Sequence, residues 1–275
     1  MVKLGKPVRS GARAAPHQAP PRRREQDLDL PARGASTRPL APPQFAQLPR
    51  AQLETMHAAG HEILECYRVL HKAGLNIVGE VLRGTGTFYE YNHYPEDDVF
   101  DADTHAQYYY HAHRGLAGEH GHFHTFLRRA GMPHGARPLD APHSEPWPQG
   151  DDALAHLAAI AMDGYGIPIG LFAPNRWVAD DTWYEAPKLI AMLDRFRIDH
   201  AFPSWPVNRW ISAMLVLFRP HLELILGERD RVVAAWREAL PDEDVFERRD
   251  LEILAQMPVS VDATLAEVSF ALDRR

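Results

Sequence analysis

The sequence predicts an α+β protein: a central antiparallel β-sheet built from hairpins, flanked by an N-terminal helix and a C-terminal group of helices. Three observations carry that expectation. Residues 105–124, HAQYYYHAHRGLAGEHGHFH, alternate at period 2 around a glycine-bearing turn. A second apolar hairpin, LAAIAMDGYGIPIGLFAPNRWV, begins at Leu157, by the strand-and-turn pattern. Helical spacing of apolar residues marks the segments on either side of both.

Taken in order, residues 1–45 read as a disordered basic and proline-rich tail and residues 46–275 as one α+β domain, with a helix over 51–73, sheet over 76–180 and a helical part over 186–273. The tail carries nine Lys/Arg against three Asp/Glu within residues 1–38, and too few apolar residues to offset its ordering entropy. Leu53, Met56, Ile63, Leu64, Tyr67, Val69 and Leu70 fit an amphipathic helix that Gly74 ends. Glu54, His57, His61 and Glu65 share one face of it, which reads as a solvated polar face; the two histidines, at i and i+4, could also bind metal or a facing carboxylate.

NIVGEVLRG and TGTFYEYNHYP read as strands, EDDVFDAD as an acidic loop, and residues 132–152 as a long Pro- and Gly-rich surface loop, boundary or lid. The second hairpin turns over Asp163 to Gly166. From Pro187 onward APKLIAMLDRF, NRWISAMLVLF and HLELILGERDRVVAAWREAL read as helices, the last two separated at Pro220. Shorter helices are expected near 243–256 and 262–273. The tripeptide Asn-Arg-Trp occurs at 175–177 and at 208–210; Arg lying over a core-edge Trp is the expected role, with an anion or aromatic ligand clamp as the alternative.

Composition narrows the function. The net charge of −7 resolves into a basic tail and an acidic remainder, and no helix-turn-helix, zinc-finger or RNP pattern occurs, so nucleic acid is not an expected partner. No apolar run reaches the roughly 18 residues of a membrane span and no secretory signal is evident, so a cytoplasmic protein without membrane attachment is expected. Cys66 is the only cysteine, which rules out an internal disulfide and leaves nitrogen and oxygen to ligate any metal. Walker A, GxGxxG, GxSxG, HExxH and DxDxDG patterns are absent.

The histidines carry the chemistry. Six of the 16 fall within residues 105–124. A four-residue loop, Gly115 to Gly118, would pair Arg114 with Glu119, His113 with His120, His111 with His122, Tyr110 with Phe123 and Tyr109 with His124. One face would then hold His111, His113, His120 and His122 as a metal-binding square, the ion being a divalent transition metal (Fe, Zn, Cu, Ni or Mn). Tyr109, His124 and Arg114 flank the square as candidate catalytic groups, and His93, Glu119 and His105 are lesser ligand candidates.

The spacing HxH followed by Glu resembles the cupin motif, in which two histidines and a glutamate hold a metal in a barrel mouth. Its counterparts here would be His111, His113 and Glu119. The resemblance covers about twenty residues, lacks the glycine five positions before HxH, and has a longer gap to the acid. The four-residue loop also opposes it, turning Glu119 away from the two histidines and toward Arg114. The stretch from NHYPEDDVFDADTHAQYYYHAHR through NRWVADDTWY is similar to a bacterial protein family to which no activity is assigned.

The functional expectation is a metal-dependent enzyme acting on a small molecule, an oxidoreductase of the non-haem metal type or a hydrolase. A metal- or haem-binding sensor or storage protein is the alternative, as is a metal-free phosphoesterase using histidine pairs with Arg114, Arg176 or Arg209 as anion clamp.

Overall fold

The computed structural model describes residues 39–274. The expected tail therefore lies, over residues 1–38, outside the described residues.

Helix α1 (Arg50–Lys72) buries Leu53, Met56, Ile63 and Leu70 of the expected stripe, while Leu64 and Tyr67 are partly buried and Val69 is exposed. Cys66 lies on that stripe too, and burial pushes its thiol up to about 12. After α1 the chain departs from expectation. NIVGEV forms a short helix, α2 (Ile77–Val81), because Asn76 caps it by accepting the Gly79 amide at 2.8 Å. TGTFYEYNH is loop, and the first strand is the acidic segment itself, β1 (Tyr94–Phe100). An edge strand tolerates this composition, since Tyr94 and Val99 point inward, Glu96 and Asp97 point to water, and Asp98 is bonded to His93 and Gln107.

Six antiparallel strands follow chain order in one sheet. They are β1, β2 (Ala106–His111), β3 (Gly121–Arg128), β4 (Leu154–Met162), β5 (Pro168–Pro174) and β6 (Ile253–Pro258). The β4–β5 turn is the expected one, with Asp163 Oδ1 accepting the amides of Tyr165 and Ile167. β6 was expected to be helical. It pairs with β5 from Pro174↔Ile253 to Gly170↔Pro258, so the edge that β5 offered outweighed the local pattern.

Between β5 and β6 run α3 (Arg176–Ala179), α4 (Ala186–Leu193), α5 (Trp205–Leu217) and α6 (Arg219–Ala239), and α7 (Val261–Asp273) closes the chain. α5 gives way to α6 at Phe218, with Pro220 in the first turn of α6. No single helix among the described residues is long and apolar enough to cross a membrane.

The sheet has two unlike faces. On one, Tyr108, Tyr110, Phe123, Ile160 and Leu171 join the main core with α1, α2 and α5. There Phe123 meets Trp210 of α5 at 5.4 Å between ring centroids, and the Tyr108 hydroxyl donates to Asn208 Oδ1 at 2.6 Å. The opposite face carries Tyr109, Phe126, Phe172 and the histidines.

Candidate metal centre

Register and alternation build this centre. β2 pairs with β3 as Tyr109↔His124, Tyr110↔Phe123 and His111↔His122. His111, His122 and His124 therefore project from the same face. On the β4 side the partners of His122 and His124 are Ala161 and Ala159, whose small side chains leave room for the imidazoles. Ring centroids lie 4.6 Å apart for His111 and His122, and 5.0 Å apart for His111 and His124 and for His122 and His124. One ring nitrogen from each lies within 4.8 Å of the others.

The Nε2 atoms of all three rings are buried with no hydrogen-bond partner. Buried polar side-chain atoms are mostly paired in native proteins, so three orphans gathered in one place need an explanation. Three converging on a point fit a metal ion, whose zinc-like Zn–N bonds of about 2.1 Å space tetrahedral ligands about 3.4 Å apart. Small ring rotations supply the remaining approach.

The other nitrogens of two rings are engaged. His122 Nδ1 is 2.8 Å from Glu119 Oε1, and His124 Nδ1 is 2.8 Å from Nε2 of His156 on β4. A proton on each Nδ1 directs the Nε2 lone pair into the centre, the usual arrangement for ligating imidazoles. Glu119 in turn lies 3.3 Å from Arg114 Nη1, whose guanidinium covers the Phe172 ring at 4.2 Å. His156 is anchored by its amide, which donates to Asp181 Oδ2 at 3.1 Å.

Burial holds His111 and His122 down to about 2, helped by the neighbouring imidazoles. Burial likewise drives His124 well below the ordinary histidine range and His156 to about 3, while it lifts Asp181 to about 7. The three inward rings are thus neutral at physiological pH, the form that binds metal.

A cleft of about 570 Å³ opens beside the triad, walled by Tyr91, Tyr109 and Trp177 and polar at His113, Arg114 and Glu252.

The family model described as Domain of unknown function (DUF6969) matches residues 57–259. The chain belongs to this family. No curated protein and no solved structure matches the chain. The DUF6969 match runs from within α1 to just past β6, and so includes all six strands and every residue of the centre.

Within the DUF6969 fold the sequence-derived candidates separate. His111 and His122 are in the triad, joined by His124, which was expected to flank the metal. His113 stays beside it, half-buried, with its ring 4.8 Å from His111, 5.0 Å from His122 and stacked on Tyr91. His120 is a correction. The strands end at His111 and Gly121, so the connection spans residues 112–120 instead of four residues, and alternation does not reach 113 or 120. His120 Nδ1 instead meets the Tyr110 hydroxyl at 2.8 Å, and its ring lies against Phe88 on the far side of the sheet.

Tyr109 stacks on His93 at 3.6 Å and meets His111 edge-on at 5.1 Å. Asp98 steadies His93 through Nδ1 at 2.9 Å. Arg114 lines the cleft, and Glu119 supports His122 from the ring edge opposite the triad. That position departs from the cupin-like assignment, in which Glu119 would be a ligand. His105 sits before β2, at the opposite end from His111, with its ring near Phe100.

The two Asn-Arg-Trp segments are structural anchors. Arg176 is paired with Glu247 and Asp180, Arg209 with Glu62, and Asn208 ties Tyr108 to the backbone of His200 and Phe202. His57 and His61 face each other on α1 with Nε2 atoms 3.3 Å apart. Sequence reasoning missed His156, whose only signal is a lone histidine in the apolar strand LAHLAAIAM. It also missed Glu252, which the unexpected strand β6 brings to the cleft.

Proposed function

We propose that the protein is a metal-dependent enzyme acting on a small molecule, with a divalent transition ion held by Nε2 of His111, His122 and His124. The observation that carries this reading is the set of three buried, unpartnered nitrogens converging beside an open cleft. Three protein ligands leave coordination positions for a substrate, whereas a storage or sensor site is usually closed by its protein ligands. The bound ion would supply Lewis acidity or redox chemistry to a group placed in the cleft.

The chain's own residues have defined tasks. Glu119 and His156 hold His122 and His124 in the tautomer that points Nε2 inward. Tyr109, Phe126 and Phe172 surround the rings with apolar surface and exclude water from the floor of the site. His113, half-buried and free of hydrogen bonds among the described residues, stands where it can carry a proton to or from a bound molecule.

An oxidoreductase of the non-haem type is the first reading, favoured by the all-imidazole set, which suits iron or copper, and by its apolar surroundings. A metal-dependent hydrolase is the second, favoured by Glu252, a carboxylate lining the cleft without a hydrogen-bonding partner among the described residues.

Elemental analysis of untagged protein, never exposed to nickel resin, tests the proposal beside His122→Ala. Near-stoichiometric metal in the parent and its loss in the variant are expected. Iron or copper selects the first reading and zinc the second. A folded parent that takes up no metal on reconstitution defeats both.

A further inference from the structure

We infer that the cleft seats a small organic carboxylate, its anionic head on Arg114 and its apolar body against Tyr91, beside the histidine triad. This deepens the proposed function and rests on it.

Arg114 is unusual for a guanidinium. Its side chain is only 8% exposed and lines the cleft. Nη1 is buried without a hydrogen bond, and among the described residues the side chain makes none. Its ionic neighbour Glu119 is 3.3 Å away without hydrogen-bond alignment, and Glu119 spends its other oxygen on His122. Five N–H donors are thus largely unspent on a cation withdrawn from water and backed by the Phe172 ring. A guanidinium's planar fork matches a carboxylate bidentately. Glu252 lines the same cleft and is close enough to Arg114 to favour its charged form.

Tyr91 supplies the second element. It is 71% exposed, yet held at φ 68°, a left-handed conformation that bulky residues seldom adopt. Its amide donates to the Ala112 carbonyl at 3.0 Å, which ties this rim to the histidine loop, and its ring stacks on His113. An exposed aromatic ring on strained backbone at the mouth of a cleft is the expected sign of a surface kept for a ligand. Leu116, 48% exposed, extends the same apolar rim.

The test uses the full chain loaded with zinc, its occupancy measured first, and titrates benzoate against benzamide, a neutral molecule of the same shape. Benzoate should bind at least tenfold tighter than benzamide. That preference should fall to within threefold in Arg114→Gln with zinc occupancy unchanged, and Tyr91→Ala should weaken both probes alike. If Arg114→Gln sheds its zinc, arginine side-chain ¹⁵N spectra of the zinc-loaded parent decide. A resonance absent from Arg114→Lys should shift with benzoate and not with benzamide. Equal binding of the two probes, a benzoate preference intact in Arg114→Gln, or an unmoved Arg114 resonance overturns the inference while leaving the metal reading standing. A parent that binds no zinc or other divalent transition ion removes that reading and the inference with it.

Discussion

The two faces of the β2–β3 hairpin are made of alternate residues of the same strands, yet they are finished differently. On the helix side the Tyr108 hydroxyl reaches Asn208, Tyr110 meets His120, and Phe123 packs on Trp210. On the cleft side three imidazoles leave one nitrogen each unsatisfied. One face of the hairpin pairs the polar tips of its tyrosines, and the other leaves imidazole nitrogens open to a ligand. Among the described residues of β2 and β3 the unsatisfied ring nitrogens all lie on the cleft side, braced from behind, which makes that side the candidate site.

The largest break in this contrast comes from the triad itself. His124→Ala should abolish stoichiometric metal binding and any metal-dependent turnover. The fold should survive, because the change removes a polar ring from the cleft side and leaves the helix-side core intact. Circular dichroism with metal analysis checks this; a variant that still holds metal with parental affinity would break the comparison.

Trp210→Ala is the mirror experiment. It should cost about 3–5 kcal/mol of stability by opening a cavity in the main core. The surviving folded fraction should still bind metal, as denaturant melts read alongside metal titration would show.

Behind the triad the effects are smaller and graded. Glu119→Gln and His156→Ala should each weaken metal affinity about 10- to 100-fold, through loss of the group that orients an imidazole. Competition with a chelator measures this, and an unchanged affinity in both would show that the Nδ1 contacts do not orient the rings.

The gentlest probe is pH. His111, His122, His124 and His156 have folded-state values far below those of an unfolded chain. Their contribution is whole above about pH 6.5. It is lost as pH falls toward their folded values, because only the unfolded chain takes up the protons, at up to about 1.4 kcal/mol per ring per pH unit. Apo-protein melts and metal occupancy should therefore hold from pH 8 to 7 and decline together below 6.5. Asp181, raised by burial, acts in the opposite direction: its contribution is present below about pH 4 and lost as pH rises toward 7, which shallows the slope over that interval.

Much of this molecule could be read before folding. α1, α4 to α7, both central hairpins and the register His111↔His122 follow from periodicity and turn residues alone. The errors have physical causes. The acidic β1 and the helix-patterned β6 are both edge strands, which a sheet recruits by offering open hydrogen bonds whatever the local propensity. His120 was misplaced because alternation predicts a face only while the strand lasts, and Gly121 is where the strand begins. A side chain at Gly121 would come within 2.6 Å of the His111 carbonyl oxygen, so the two strands meet closely there and the intervening chain must swing wide.

By itself, then, the sequence determined which residues share a face, because side-chain direction in a strand is a local property of the backbone. It was enough to bring His111, His122 and His124 to one side of the sheet. Only the tertiary structure decided that ring nitrogens of the three come within 4.8 Å of one another, that His156 and Glu119 hold two of the rings from behind, and that Glu252, just before β6 and 128 residues beyond His124, borders the cleft. Those arrangements depend on strand order and loop path, which no local periodicity encodes.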